Sequence, residues 1–352
     1  MPFNATQIDE IGHYAISDFA KNDPVDQINT AHPFYSWLVS NKKEQPAVGQ
    51  FYSENIYISN ESNGQNYFGA DQVTYNSRDP NRLTQWAWYN YHNGFGFDED
   101  TLKAAGIIKT DDREAVASGA ERSILWSRLK AAYTTMKRGT QEDLAIEFLY
   151  DGTQSTKAVP GIGSIIALTP AGTTVGGINS TTNTYWVNNT SLGIVTTTPS
   201  DGNINTALKK MWRACTKFGG AAPTRIFAGQ AFIEKLEQEN RAISHLEVRM
   251  DNSGKGTNYD GGVASTHFNG IPVIWDPTFE LLDAKYTPAT LYTKRAYMVS
   301  EPALTLHPVQ GFWMLDRKPP RMYDRYVHYW ARTSSYRLTT DRRNGLAVLT
   351  IA

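Results

Sequence analysis

Cysteine is almost absent from this chain, and its scarcity excludes several classes of protein. Cys215 is the only cysteine, so an intramolecular disulfide and a metal cluster held by several thiolates are both ruled out. No stretch approaches the roughly 18 consecutive apolar residues of a membrane-spanning helix. The N-terminus also lacks the basic start and apolar run of a signal peptide. We therefore expect a protein that folds inside the cell and has no membrane contact.

An excess of charge is lacking as well. The chain has 34 Lys and Arg against 35 Asp and Glu, a formal net charge of -1. No global attraction to nucleic acid or to an anionic membrane is predicted from this balance. The 352 residues, 40% of them hydrophobic, are enough for about two domains with real cores.

Recognisable catalytic motifs are missing too. Gly161-Ile-Gly163 lacks the third glycine of a dinucleotide loop, and residues 254–257 (GKGT) lack two positions that a phosphate loop requires. His245 and Glu247 have no second histidine near them in sequence, and no serine lies in a GxSxG motif. We predict no enzymatic activity, no metal site and no cofactor.

The longest regular pattern is helical and covers residues 113–150. Apolar residues recur at helical spacing in both halves, but the second stripe (Leu144, Ala145, Phe148 and Leu149) is rotated by roughly half a turn. Gly139 lies at the change, and Thr140 with Asp143 fits the spacing of a capping box. Either the helix kinks there or it buries different faces along its length.

Residues 45–97 favour strands joined by turn clusters. One short run in this segment contains Trp86, Trp88, Tyr89 and Tyr91, with too few aliphatic residues around it to form a separate core. Such aromatic residues either pack on the body of the protein or contact a partner, because they offer much contact area for little entropy. The sequence leaves both readings open.

The rest of the chain favours a mixed fold that ends in a sheet. A helix over 203–218, a strand over 225–228 and a helix over 230–240 predict an α/β or α+β domain. Residues 303–351 are almost wholly strand-like and are the natural partner of the long helix. A charged turn with Arg317, Lys318 and Arg321 interrupts them. Arginine beside aromatic residues is typical of nucleic-acid contacts and of protein interfaces, and without a recognised motif we favour an interface.

Several short phrases follow one another in a recognisable order. They are residues 148–153 (FLYDGT), 159–163 (VPGIG), 174–178 (TVGGI), 185–186 (YW), 227–230 (FAGQ), 268–272 (FNGIP) and 275–277 (WDP). Together with the arm, the β excursion and the long helix, this order resembles the major capsid proteins of tailed bacteriophages, which have the Hong Kong ninety-seven type capsid fold. The resemblance covers nearly the whole chain.

This resemblance implies an α+β fold with four parts. Residues 1–44 would form an N-terminal arm, and 45–97 an extended β segment called the E-loop. Residues 98–159 and 300–352 would form the peripheral domain, with the long spine helix on a β-sheet. Residues 160–299 would form a mixed axial domain.

The resemblance also implies a function. Pentamers and hexamers would close into an icosahedral head in the virion, assembled in the host cytoplasm, enclosing double-stranded DNA without sequence-specific binding. Expected partners are a separate scaffolding protein, because 44 residues are too few to contain one, a portal, and a decoration protein as a further candidate. The founding member links its subunits through an E-loop lysine, but no lysine lies between Glu44 and Leu102 here. We therefore expect noncovalent shells.

Two alternatives to the capsid interpretation remain open. One is an encapsulin-like cargo shell with the same fold, and the other is a β-rich tail or surface-binding structural protein. In the capsid interpretation, the predicted subunit-interface residues are Trp86, Trp88, Tyr89, Tyr91, Arg317, Lys318 and Arg321.

Overall fold

The computed structural model describes residues 30–46, 49–57, 62–77, 79–98, 119–217, 222–243, 266–317 and 327–352. The sequence also indicates helices within 7–21 and 98–106 and an exposed loop at 251–262. Except for Asp98, these segments lie outside the described ranges, as do residues 113–118 of the predicted long helix. The helices are α1 Pro33–Ser40, α2 Gly119–Leu149, α3 Ile162–Ile165, α4 Asn203–Thr216, α5 Gln230–Ile243 and α6 Thr278–Tyr286. Within the described ranges, no helix combines the length and apolar character needed to cross a membrane.

The strands in the first half of the chain are β1 Phe51–Tyr57, β2 Asn81–Ala87, β3 Tyr89–Asp98, β4 Thr174–Val175, β5 Ile178–Asn179 and β6 Asn189–Ile194. Those in the second half are β7 Arg225–Ala228, β8 Thr266–Phe268, β9 Ile271–Trp275, β10 Arg295–Val299, β11 Leu304–Pro308, β12 Leu315–Arg317, β13 Val327–Thr340 and β14 Ala347–Ile351. The chain divides into a larger unit (31–91, 142–315 and 334–352) and a smaller one (1–30, 92–141 and 316–333).

The larger unit is built on a six-stranded sheet in the order β6-β14-β10-β7-β9-β8. Successive residues of its strands face opposite sides. On β10, Ala296 and Met298 join one apolar cluster, which includes α4 and α5, whereas Tyr297 and Val299 join the other. Every residue of β10 and β14 is buried. The sheet therefore has an apolar layer on each face, as a near-continuous hydrophobic strand sequence predicts.

Several local features of this sheet and its helices follow the sequence prediction. Asn269 and Gly270 both have positive φ (49° and 79°), the conformation of a two-residue turn between β8 and β9. The helices predicted over 203–218 and 230–240 are found at 203–216 and 230–243, and the strand over 225–228 is as predicted.

Two local features differ from what the sequence indicates. Leu291-Tyr292 is strand-like in sequence, but no strand forms there, because the Asp283 carboxylate accepts hydrogen bonds from the backbone N–H groups of Tyr292 (2.6 Å) and Thr293 (2.9 Å) and turns the chain into a 3-10 helix. Helix α6 is not predicted from the sequence, since it follows Pro277 directly and is only nine residues long. Short helices have too few periodic positions to stand out in a sequence.

Asp276 explains how α6 begins. One oxygen of its buried carboxylate accepts a hydrogen bond from the Thr278 N–H (2.9 Å) and the other from the Phe34 N–H (3.0 Å). Both donors lie in the first turn of a helix, where backbone N–H groups lack an intrahelical partner. A single side chain thus caps α1 and α6, and His32 adds a 2.8 Å hydrogen bond to the Thr278 hydroxyl.

Helix α2 spans 31 residues without a break at Gly139, about 46 Å at 1.5 Å per residue. The proposed capping box at Thr140 does not form. Its hydroxyl instead donates to the Met136 carbonyl one turn earlier (2.8 Å). Around Met136 only isolated positions are buried, whereas Leu144 to Leu149 are buried almost all round. The helix is continuous through Gly139, and its burial increases toward its C-terminal end. The chain then turns at Gly152, whose φ is +87°.

The smaller unit contains the first part of α2 with parts of β3 and β13. Strand β3 pairs with β13, and a Cβ on Gly94 would lie 2.8 Å from the Trp330 carbonyl oxygen, so the two strands approach closely there. A buried Arg332 joins the elements: its guanidinium donates to Asp316 (2.7 Å) and to the Tyr133 hydroxyl (2.7 Å).

Candidate assembly interface

Strands β1 and β2 form an isolated two-stranded ribbon in the larger unit. They pair in antiparallel register from Phe51 with Ala87 to Tyr57 with Asn81. Burial along β1 alternates between half-buried and exposed positions, and no β1 residue is fully buried. A two-stranded ribbon with such strands has no core of its own. This agrees with the sequence prediction that the excursion is not an independent domain.

The root of the ribbon, however, is part of the main core. Trp86 is 6% exposed and Thr84 is fully buried. The Trp86 ring packs on Gly176, where an added Cβ would be 2.8 Å from the ring, and the Gln85 N–H donates to the Gly176 carbonyl (2.8 Å). Only glycine gives this close approach at a φ of +58°. Residues 51–91 have too few aliphatic residues for a separate core, but at this root they contribute to the main core.

The other three predicted aromatic residues also have partners within the chain. The Trp88 ring centroid lies 3.7 Å from the guanidinium carbon of Arg337. Tyr89 is half-buried against the main core, and burial raises its pKa. The Tyr91 hydroxyl donates to Asp143 (2.9 Å). Packing on the body thus accounts for these side chains, and their role between subunits stays a prediction.

The far end of the ribbon carries aromatic residues of a different kind. In residues 62–77, which we call the tip, Tyr67, Phe68 and Tyr75 are 70%, 89% and 92% exposed. The tip is held by its own hydrogen bonds: Asn63 donates to the Thr74 carbonyl (2.8 Å) and the Phe68 N–H to Asp71 (2.9 Å). Exposed aromatic side chains on a projecting segment are typical of interaction sites.

The sequence analysis did not predict these three residues, because it placed the interface at the densest aromatic run, residues 86–91. A usable signal was present. Tyr67, Phe68 and Tyr75 are large aromatic residues among polar ones, with glycine and asparagine around them and no aliphatic residue nearby except Val73 and Ala70. Aromatic residues with so few apolar neighbours in sequence have little to pack against locally.

Of the predicted basic residues, Arg317 lies on β12 and its Nε donates to the Thr333 hydroxyl (2.8 Å). Lys318 and Arg321 lie outside the described residues. The neighbouring Asp316 is held by Arg332, whose hydrogen bond lowers the pKa of the carboxyl below its usual range. The structure thus brings Arg317 into the smaller unit beside an internal polar network, and its predicted contact with another subunit stays a prediction.

Gly161 and Cys215 both have structural roles in the body of the protein. A Cβ on Gly161 would lie 2.3 to 2.6 Å from three carbonyl oxygens at the end of α2, so this glycine serves close backbone packing. Burial raises the pKa of the Cys215 thiol to about 11. In the described part of the chain, no group of three or more His, Cys, Asp or Glu side chains is placed to hold a metal ion. The GKGT loop, His245 and Glu247 are not among the described residues.

Neither a protein-family model nor a curated protein sequence matches this chain. Solved structures do match, and they cover it nearly from end to end. The cyanophage A-1(L) capsid asymmetric unit matches with a TM-score of 0.60 at 12% identity, covering 94% of this chain and 96% of that one. The bacteriophage PhiM1 mature capsid matches with a TM-score of 0.54 at 10% identity, covering 94% and 91%.

The capsid of Myoviridae phage XM1 gives a TM-score of 0.52 at 11% identity, covering 94% of this chain and 96% of that one. These structures are all phage capsids, and the match extends over both units. The chain has the fold of phage capsid proteins, and the predicted α+β capsid fold is confirmed.

Proposed function

We propose that this chain is the major capsid protein of a tailed bacteriophage, a structural subunit that assembles with copies of itself into the shell of the virion. The observation that carries the proposal is the near-complete structural match to phage capsids. A match over the whole chain leaves little of it for a separate catalytic or receptor-binding domain, which disfavours the tail or surface-binding alternative.

The ribbon supplies a second line of support. Its root is fixed in the main core by Trp86, while its tip presents three aromatic side chains to solvent. Exposing this much apolar area is unfavourable for an isolated subunit. A neighbouring subunit that covers the tip would recover that free energy, so the exposed tip favours an oligomer over a monomer.

The finer assignments follow from the capsid interpretation. Subunits form pentamers and hexamers, residues 45–97 act as the E-loop, and the shell encloses double-stranded DNA without reading its sequence. A scaffolding protein, a portal and a decoration protein are the expected partners, and assembly takes place in the host cytoplasm. The predicted interface residues belong to this proposal: Trp86, Trp88, Tyr89, Tyr91, Arg317, Lys318 and Arg321.

The test is expression of the chain with its genomic neighbours, followed by electron microscopy of the purified material. Closed shells or ring-shaped capsomers are expected. Shells that protect DNA from nuclease support the phage head, whereas shells that contain a co-purifying cargo protein instead support the encapsulin-like alternative. A chain that stays monomeric across salt and crowding conditions would refute both.

A variant with Tyr67, Phe68 and Tyr75 all changed to Ser separates assembly from folding. These side chains are mostly exposed, so the subunit should remain folded but fail to form shells. The matched control changes Tyr185 to Ser, which is 52% exposed and lies outside the ribbon. Normal assembly of the tip variant would remove the tip from the proposed interface.

A further inference from the structure

Arg337 occupies an unusual position under the root of the ribbon. It lies on β13, directly opposite His307 of β11, and is only 1% exposed. Its guanidinium carbon is 3.9 Å from the centroid of the Tyr52 ring and 3.7 Å from that of Trp88. The guanidinium group is thus in contact with two aromatic rings at once. We call this arrangement the Arg337 stack.

The two rings come from the two sides of the ribbon. Tyr52 is the second residue of β1, and Trp88 follows Ala87, the last residue of β2, which pairs with Phe51. The stack therefore holds both strands at the point where the ribbon leaves the body. Each ring contributes a cation–π contact, which gains strength when the pair is removed from water.

The hydrogen bonds of Arg337 also lead to the ribbon. Its Nη2 donates to the Gln45 side-chain carbonyl, the Gln45 amide donates to the Tyr52 hydroxyl (3.3 Å), and that hydroxyl donates to Glu54 (2.6 Å). Nε and Nη1 have no hydrogen-bond partner among the described residues. Burial lowers the pKa of Arg337 to about 10, so the guanidinium stays charged at neutral pH.

An arginine buried for stability alone would be expected to use its donors, because a buried donor without an acceptor is unfavourable. Arg343 comes closer to this expectation: it donates to the carbonyls of Ile165 and Trp186, ties loops of the body together, and leaves only Nη2 without a partner in the described part of the chain. Arg337 instead leaves two donors without an acceptor in the described part of the chain and directs its ring contacts to the ribbon. The arrangement favours orientation of the ribbon over stability of the body.

A second attachment of the ribbon lies where Trp86 packs on Gly176. Trp86 is the cross-strand partner of Tyr52, so the two contacts lie side by side at the root. A ribbon held there through both of its strands is less free to swing than one held through a single strand. Farther from the root, Tyr57 is 78% exposed, and Phe68 and Tyr75 at the tip are more exposed still. The direction of the tip thus depends on the two root contacts.

We propose that Arg337 is the positioning residue of the ribbon: stacked between Tyr52 and Trp88, it sets the direction in which β1 and β2 leave the body and so presents the tip to a second copy of the chain. The part about the second copy rests on the proposed capsid function. The part about the ribbon concerns the single subunit and is testable without assembly.

The first test is hydrogen exchange in the unassembled subunit carrying Arg337→Lys. Lysine keeps the charge but has no planar group to fill the space between two rings. Exchange over residues 51–57 and 81–87 should accelerate about tenfold, while exchange over 295–299 and 347–351 should not change. The same variant should give fewer closed shells in the microscope.

Arg295→Lys is the matched control. Arg295 is also buried and its guanidinium carbon lies 3.8 Å from the Tyr292 ring centroid, but it donates to Tyr297 and to the Thr290 carbonyl, which belong to the body. This control should leave exchange of the ribbon at the wild-type rate. Equal loosening of the ribbon by the two variants, or none with Arg337→Lys, would show that the stack does not position it.

If Arg337→Lys does not fold, a pair of variants at Tyr52 decides the question. Tyr52→Leu removes one ring of the stack, whereas Tyr52→Phe keeps the ring and removes only the hydroxyl. Faster ribbon exchange in the Leu variant alone supports the stack. Equal effects in both would assign positioning to the hydroxyl and its bonds to Gln45 and Glu54, and would overturn the proposal.

The assembly readout separates this inference from the proposed function. A wild-type chain that forms no particles overturns the capsid function and leaves the exchange result standing. A loosened ribbon in Arg337→Lys together with a wild-type yield of shells overturns the claim that its direction matters for assembly.

Discussion

The six-stranded sheet and the β1–β2 ribbon are stabilised in opposite ways. In the sheet, β10 and β14 are buried on both faces by two apolar clusters. In the ribbon, burial is concentrated at the root, which is held by an aromatic ring on a glycine and by a cation between two rings. Burial of apolar area drives folding of the sheet, whereas a few specific contacts orient the ribbon.

The largest expected difference comes from truncating one aromatic residue in each region. Phe227→Ala in the sheet removes a buried ring that contacts Phe34 and Trp37 (5.2 and 5.5 Å between centroids). It should lower the free energy of unfolding by about 3–5 kcal/mol. Phe68→Ala at the tip should change it by less than about 0.5 kcal/mol. Chemical denaturation of the unassembled subunit measures both, and similar losses would abolish the distinction between the two regions.

A smaller effect is expected from two glycines. Gly176 and Gly193 both have positive φ (58° and 63°), but a Cβ on Gly176 would meet the Trp86 ring, whereas one on Gly193 would meet nothing within 4 Å. Gly193→Ala therefore reports backbone strain alone, about 1 kcal/mol. Gly176→Ala should be less stable than that control by a further ~1–2 kcal/mol, as overpacking predicts. If thermal denaturation shows the same loss of stability for both variants, the Trp86 ring must be able to move aside without loss of stability.

The stabilisation from a contact between charged side chains should depend on pH, whereas that from apolar burial in the six-stranded sheet should not. The Arg332 hydrogen bond lowers the pKa of Asp316, so the stabilisation by this carboxylate is present above its unfolded pKa, near 3.8, and is lost as the pH falls through the lower folded value. Asp316→Asn should lower the free energy of unfolding by only about 1 kcal/mol at pH 7, since Asp316 is partly exposed. In strong acid the substitution should leave the free energy of unfolding unchanged.

The matched control for this titration is Asp79→Asn. Asp79 pairs with Arg82 at 2.8 Å, but its side chain is 80% exposed, and such pairs contribute little. Its unfolding curve should follow that of the wild type from pH 7 to acid. A loss in Asp316→Asn that is the same at every pH would point to packing instead of charge.

The last prediction is that no covalent link joins the subunits. Cys215 is buried and its thiol has a pKa of about 11, and no lysine lies between Glu44 and Leu102. Both routes to a covalent shell are therefore unfavourable. Particles boiled in detergent without reductant should run as one band near the 39.4 kDa chain mass. A ladder of multimers would show a covalent link between subunits.

Sequence reasoning succeeded where the pattern is periodic and the contacts are local. The helices over 203–216 and 230–243 and the turn at Asn269-Gly270 followed from spacing and from turn chemistry. Order along the chain then led to the capsid fold, although each phrase alone is weak. Periodicity is a property of a segment, so a single sequence is sufficient to reveal it.

The errors lie where a residue's partner is distant in sequence. Thr140 looked like a cap because its neighbours fit the spacing, but its hydroxyl bonds within the helix and accepts from Asn93 (3.1 Å). Trp88 has a partner that its sequence neighbours do not reveal, since its ring lies on Arg337, far along the chain; its role between subunits stays a prediction. The exposed tip was not predicted because exposure depends on the absence of contacts with distant parts of the chain. A local sequence pattern does not contain that information.

The carboxylate of Asp276 sets an order of events during synthesis. It caps α6, which follows it at once, and also α1, whose Phe34 N–H lies 242 residues earlier. A ribosome releases the chain from its N-terminus, so α1 emerges long before its cap exists, and an eight-residue helix is marginal without one. Closing so long a loop is slow compared with local folding. The segment from Ala31 to Ser40 must therefore reach its final place only after residue 276 has left the ribosome.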